Sequence, residues 1–84
     1  LNQINTSIKL PLSIKVKNSD NLKVSNFEKI LNNTDLIYDF YISKFDMNFI
    51  YYQIIFNGTP DNFLKSMSNN DYSFDTQNKQ WILE

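Results

Sequence analysis

Residues 26–39 read Asn-Phe-Glu-Lys-Ile-Leu-Asn-Asn-Thr-Asp-Leu-Ile-Tyr-Asp, and residues 62–75 read Asn-Phe-Leu-Lys-Ser-Met-Ser-Asn-Asn-Asp-Tyr-Ser-Phe-Asp. Laid over one another at an offset of 36 without gaps, they share six identities: Asn26 with Asn62, Phe27 with Phe63, Lys29 with Lys65, Asn33 with Asn69, Asp35 with Asp71 and Asp39 with Asp75. Leu31 against Met67 and Tyr38 against Phe74 keep the same character. With thirteen asparagines in the chain, chance can supply part of such a match, so the flanking pattern has to carry weight as well. Each segment is a short helix followed by a strand, and an apolar strand precedes each. The expected fold is therefore α+β, a ferredoxin-like split βαβ sandwich (β-α-β-β-α-β, with a terminal hairpin as a variant). Two helices would lie on one face of an antiparallel sheet, anchored by Phe27 and Phe63.

Upstream of the first helix, Ile8, Leu10, Leu12, Ile14 and Val16 alternate with Lys9, Ser13, Lys15 and Lys17. Period two marks a half-buried strand. Pro11 interrupts it and lacks an amide donor, so a bulge or a late start to pairing is expected on that side. Asn18 to Asn21 reads as a loop. Ser25-x-x-Glu28 has the form of a capping box and places the first helix start there. Asn32-Asn33 ends that helix through a left-handed cap.

Leu36 to Phe45 reads as the second strand, Asp46-Met47-Asn48 as a hairpin connection, and Phe49 to Asn57 as a central third strand apolar on both faces. Gly58, the single glycine, points to a backbone angle other residues resist. Thr59-Pro60-Asp61 starts the second helix: an N-cap, a residue preset for the first turn, and a charge that complements the dipole. Phe63, Leu64 and Met67 form its buried stripe. The segments 72–77 and 80–83 are short strands about Asn78-Lys79, either a hairpin or one bent strand.

The 84 residues suffice for one domain, residues 1–84, with 1–7 frayed. The first residue is leucine, from which a piece of a longer protein, or a chain processed at its N-terminus, is expected. A hydrophobic fraction of 42% with 15% aromatics is too apolar for disorder. A net charge of −1 sets up no long-range field toward nucleic acid or anionic lipid. Histidine, cysteine and arginine are all absent. Their absence removes Ser-His-Asp and Cys-His nucleophiles, thiolate chemistry, most zinc sites and bidentate phosphate recognition. One glycine allows no phosphate-cradling loop.

Most of the nine acids are scattered at loops and helix starts, where capping and solvation are their ordinary roles. A glycosidase-like pair would need two carboxyls about 5–9.5 Å apart in a cleft. The expectation is no enzyme, with no catalytic, cofactor-binding or metal-holding residues. RNA-recognition motifs share the ferredoxin-like fold, but their third strand needs a basic residue and a glycine that Phe49 to Phe56 lacks. Nucleic acid is therefore not an expected partner. The longest apolar stretch, broken by Gln53, is too short to insert in a bilayer.

Seven aromatics, Tyr38, Phe40, Tyr41, Phe45, Phe49, Tyr51 and Tyr52, crowd onto the second and third strands. Two helices cover one sheet face, so about half of these rings should face away. An apolar face of that extent calls for a partner. Tyr41, Phe45, Phe49, Tyr51 and Gln53 are the candidate interaction surface, and a protein, as parent chain or another subunit, is the expected occupant. A small-ligand or regulatory domain is the alternative, and it requires a concave apolar pocket.

The pattern Tyr52-x-Ile54-x-Phe56-x-Gly58-Thr59-Pro60-x-x-Phe63-x-x-x-Met67, closing in Trp81-x-Leu83, resembles the C-terminal part of an uncharacterised proteobacterial secreted-protein family, a domain of unknown function. It is more loosely similar to the small N-terminal modules of secretins and TonB-dependent receptors. The resemblance spans about residues 50–84. It implies a bacterial envelope or periplasmic setting and an assembly role without catalysis, and it supplies no site residues.

Overall fold

The computed structural model describes residues 9–84, so the expected fraying of residues 1–7 and the place of Ile8 lie outside the described residues. The chain runs β1 (Leu10–Lys17), α1 (Asn21–Asn33), β2 (Ile37–Phe45), β3 (Phe49–Phe56), α2 (Pro60–Ser68), β4 (Phe74–Asp75) and β5 (Trp81–Leu83). The described residues form an α+β fold with two helices and one five-stranded sheet in the order β2-β3-β1-β5-β4.

Alternation builds the centre of the sheet. Leu12, Ile14 and Val16 of β1 are buried, as are Tyr52, Ile54 and Phe56 of β3, and the antiparallel register sets Leu12 opposite Ile54 and Ile14 opposite Tyr52. One face is thus a continuous apolar surface. Both helices cover it. Phe27 of α1 meets Tyr52 edge-on at 5.5 Å, Phe63 of α2 meets Phe56 at 5.2 Å, and both lie against Phe74, at 6.3 and 5.6 Å. Phe27, Leu31, Phe63 and Met67 are buried. Each such side chain removed from water contributes about 1.5–3 kcal/mol.

The matched helix positions share burial: Phe27 and Phe63 are both buried, as are Leu31 and Met67. The match lapses in the strands that follow. Phe74 packs under both phenylalanines, whereas Tyr38 is 66% exposed at an irregularity of β2.

The sheet departs from the expected all-antiparallel one. The chain after α2 forms β4, turns, and returns as β5, which inserts between β4 and β1 and runs parallel to β1. Trp81, Ile82 and Leu83 are three consecutive apolar residues and take the inner place. Trp81 lies 6.2 Å from Phe63, and Leu83 is buried. Phe74–Asp75, flanked by Ser73 and Thr76, is left at the edge.

Pro11 makes no bulge. The β1–β3 register is unbroken from Leu10 opposite Phe56 to Lys17 opposite Phe49, and β5 meets β1 only at Ile14 and Lys15. The missing donor falls on the side that pairs late.

The start of α1 is also corrected. Its N-cap is Asp20, whose Oδ1 accepts the Lys23 amide at 3.0 Å, so Ser25 and Glu28 lie inside the helix. Asp20 looked like one more loop residue among Asn18, Ser19 and Asn21, yet aspartate caps as well as serine. Glu28 instead accepts the Tyr52 hydroxyl at 2.5 Å, tying α1 to β3. Neither helix ends in a left-handed asparagine. Thr34 is extended and its hydroxyl donates to the Ile30 carbonyl at 2.7 Å, while after α2 the left-handed residue is Asp71, at φ 66°. The cap of α2 matches expectation: Thr59 accepts the Asn62 amide at 3.2 Å and Pro60 opens the helix.

Gly58 has φ 157°, at the extended margin of the positive range, and its stronger constraint is contact. A Cβ there would lie 2.8 Å from Cε2 of the buried Phe56 ring. Gly58→Ala is expected to destabilise the fold by about 1–3 kcal/mol through displacement of that ring, measured by urea unfolding.

Burial, followed by the Glu28 hydrogen bond and charge, raises the Tyr52 phenol well above its ordinary value of 10.0. The unfolded phenol ionises near that ordinary value while the folded one keeps its proton. The stabilisation is thus complete below pH 10 and lost as pH rises beyond it. Tyr52→Phe is expected to cost about 1–3 kcal/mol at neutral pH, and to lose stability less steeply than the parent above pH 10. Urea titrations across pH 7 to 11 compare the two.

Candidate interaction surface

The sheet face away from the helices is set by the same alternation. Ser13, Gln53 and Tyr41 form one row across β1, β3 and β2, and the Ser13 hydroxyl donates to Gln53 Oε1 at 3.0 Å. The next row is Lys15, Tyr51 and Lys44. Lys17 and Phe49 follow toward the hairpin. Among the described residues no helix covers this face.

Lysines lie over its rings. The Lys15 ammonium is 4.6 Å from the Phe49 ring centre and the Lys44 ammonium 4.6 Å from that of Tyr51. At exposed sites such contacts contribute about 0.5–1 kcal/mol each. The Phe49 and Tyr51 rings themselves sit 6.2 Å apart.

Four of the five anticipated residues, Tyr41, Phe49, Tyr51 and Gln53, share this face. Phe45 does not. It stands opposite Ile50, which stands opposite Val16 of the core, so it belongs to the helix side. An irregularity between Ile42 and Lys44 makes Ser43 an extra residue and shifts the alternation after it. Strict period two therefore misplaces Phe45. It is nonetheless 75% exposed, because β2 runs on past the packed part of the core.

Sequence pattern missed Ile42, 47% exposed, whose alternation marks a core position. Lys15, which alternation already sets on the outer side of β1, and Lys44 complete the face beside the anticipated residues.

Among the described residues strand β2 is a sheet edge. The Asn57 amide donates to Leu36 O at 2.8 Å and the Asp46 amide to Phe49 O at 2.9 Å. These bonds bracket the ladder and mark the odd-numbered residues of β3 as those bonded to β2. Phe40 and Ile42, opposite Ile54 and Tyr52, consequently turn their backbone groups outward. The Phe40 amide is taken by its neighbour, donating to Asp39 Oδ1 at 2.9 Å.

The hairpin at the end of the face is built by Asp46. Its Oδ1 accepts the amides of Asn48 and Phe49, at 2.9 and 2.8 Å, and its Oδ2 accepts the Tyr51 hydroxyl at 2.9 Å. Asn18 ties the turn to β1 through its amide nitrogen, 3.0 Å from Asn48 O, and its Nδ2, 2.7 Å from Asp46 O. A shallow cleft of about 260 Å³ lies between Lys17–Ser19 and Met47–Phe49. A second, of about 160 Å³, lies between the end of α1 and the start of β2. Among the described residues no three acids converge to hold a metal ion, and no helix is long and apolar enough to cross a membrane.

The Asn48 and Phe49 amides, followed by the Tyr51 hydroxyl, hold the Asp46 carboxyl below its ordinary value of 3.8, and the same bond raises the Tyr51 phenol. A depressed carboxylate stabilises above its ordinary value and stops doing so as pH falls through the folded one. The Asn48 and Phe49 amide resonances are expected to hold steady from neutral pH and to move together only below the ordinary aspartate range. Asp46→Asn should remove that transition in an NMR pH titration.

Comparison with protein-family models, with curated proteins and with solved structures finds no significant match for this chain.

Proposed function

We propose that this chain is a non-enzymatic protein–protein interaction or assembly module that binds through β2 and the uncovered sheet face beside it. The observation that carries this reading is the exposure of β2. A nine-residue strand displays Tyr38, Tyr41, Ile42 and Phe45 to solvent, on both of its faces. Adjacent to it the sheet presents Phe49 and Tyr51. Exposed apolar surface that is contiguous, rather than scattered singly, marks a contact site. An open strand edge adds backbone groups for main-chain recognition.

Two competing readings have less support. Ligand pockets enclose about 300–1,000 Å³, and the clefts here, of about 260 and 160 Å³, are open and marginal to the core. A single-stranded nucleic acid would stack bases on Phe49 and Tyr51. Lysine ammoniums already cover those rings, and the Tyr51 hydroxyl is engaged by Asp46. We read the fold as a ferredoxin-like derivative in which the last strand is replaced by the β4–β5 hairpin. Such folds host many functions, and the reading rests on the surface alone.

A photo-cross-linking side chain placed at Tyr41 or Phe45, in the full protein within its own cell, should form discrete protein adducts. The same group at Lys65, on the outer side of α2, should form none. Equal adducts at all three positions, or none at any, would contradict the proposal.

A further inference from the structure

We propose that β2 pairs edge to edge with β2 of a second copy of this chain, antiparallel about a two-fold axis at Tyr41; this rests on the interaction reading above and names its partner. The strand is self-complementary in that register. Its regular stretch lies between two irregularities, one between Ile37 and Asp39 and one between Ile42 and Lys44. Within it, Phe40 and Ile42 turn backbone groups outward and both side chains to the helix side. Tyr41 turns its side chain to the open face.

Centred on Tyr41, the pairing sets Phe40 of each copy opposite Ile42 of the other. Four outward backbone groups per copy find partners, and apolar side chains meet on the helix side. Tyr41 meets its own counterpart on the open face.

Charge supports the same register. Asp39 and Lys44 both belong to the open face, opposite Ile55 and Tyr51. Ser43 takes no step in the ladder, as the β2–β3 register shows: Ile42 is opposite Tyr52 and Lys44 opposite Tyr51. With that residue skipped, Lys44 of one copy falls opposite Asp39 of the other, twice by symmetry. Opposite charges facing across strands favour pairing and like charges oppose it.

In the single chain the Asp39 carboxylate accepts the Phe40 amide. On pairing, that amide passes to the Ile42 carbonyl of the second copy and the carboxylate turns to Lys44 of that copy. Asp39 thus guards the edge against other strands and yields to one carrying a lysine in the matching place. The side-chain guard and the irregularities are devices that blunt an edge, and here they also set which partner fits.

Sedimentation equilibrium on the whole chain, with D39K and K44D, tests this. The parent should associate reversibly to a dimer as concentration rises. Each single variant places like charges opposite one another twice and should associate at least about tenfold more weakly. An equimolar mixture of the two variants should recover association as a mixed dimer, because both charge pairs are then restored. That recovery also shows that the variants are folded. A parent that stays monomeric into the millimolar range, or a mixture no stronger than its components, would overturn the proposal. If the parent stays monomeric while a cross-linker at Tyr41 still captures a different protein, the second copy is excluded and the interaction reading stands.

Discussion

The ring of Phe27 sits edge-on to Tyr52 at 5.5 Å and to Tyr72 at 5.8 Å, with Phe74 beneath it at 6.3 Å. Edge-to-face pairs contribute about 0.5–1.5 kcal/mol each beyond the area they bury. Tyr52 is the shared member. Its ring is part of the sheet's buried face and its hydroxyl reaches Glu28 on α1. This one contact fixes where α1 lies, and Phe63 on Phe56 fixes α2 beside it on the same side. With both helices committed there, the short chain has nothing further, among the described residues, to lay over the other face. The uncovered surface follows from how the core is closed.

That surface is organised. Lysines from β1 and β2 lie over the β3 rings, Ser13 bonds Gln53, and Asp46 gathers two amides and a phenol at the hairpin. Each contact restricts the rotamers of the side chains that make it. Strand β2 carries the same logic to the sheet edge, where Asp39 occupies the one outward amide of Phe40.

Much of this was legible in the residues. Alternation in β1 and β3, the Thr59-Pro60 cap and the paired phenylalanines of the two helices all reflect local rules that tertiary packing leaves intact. Three features were not. The start of α1 was hidden because Asp20 sits in a polar run that reads equally as loop. The order of the last two strands depends on which of two short segments wins the inner place, a competition decided by Trp81 and Leu83 against the core. Phe45 was assigned to the wrong face because an extra residue at Ser43 resets the alternation, and nothing in Ile42-Ser43-Lys44 announces it. Of the five surface residues anticipated, the four on the near side of that irregularity or on β3 share a face.

The core and the open face both require the two helices to lie on one side of the sheet. Aromatic nuclear Overhauser contacts test that arrangement directly. The Phe74 ring protons should show contacts to the rings of both Phe27 and Phe63, and neither of those rings should contact the side chains of Tyr51 or Gln53. A contact from Phe27 or Phe63 to Tyr51 or Gln53 would place a helix on the face left open here, and would remove both the core and the surface described.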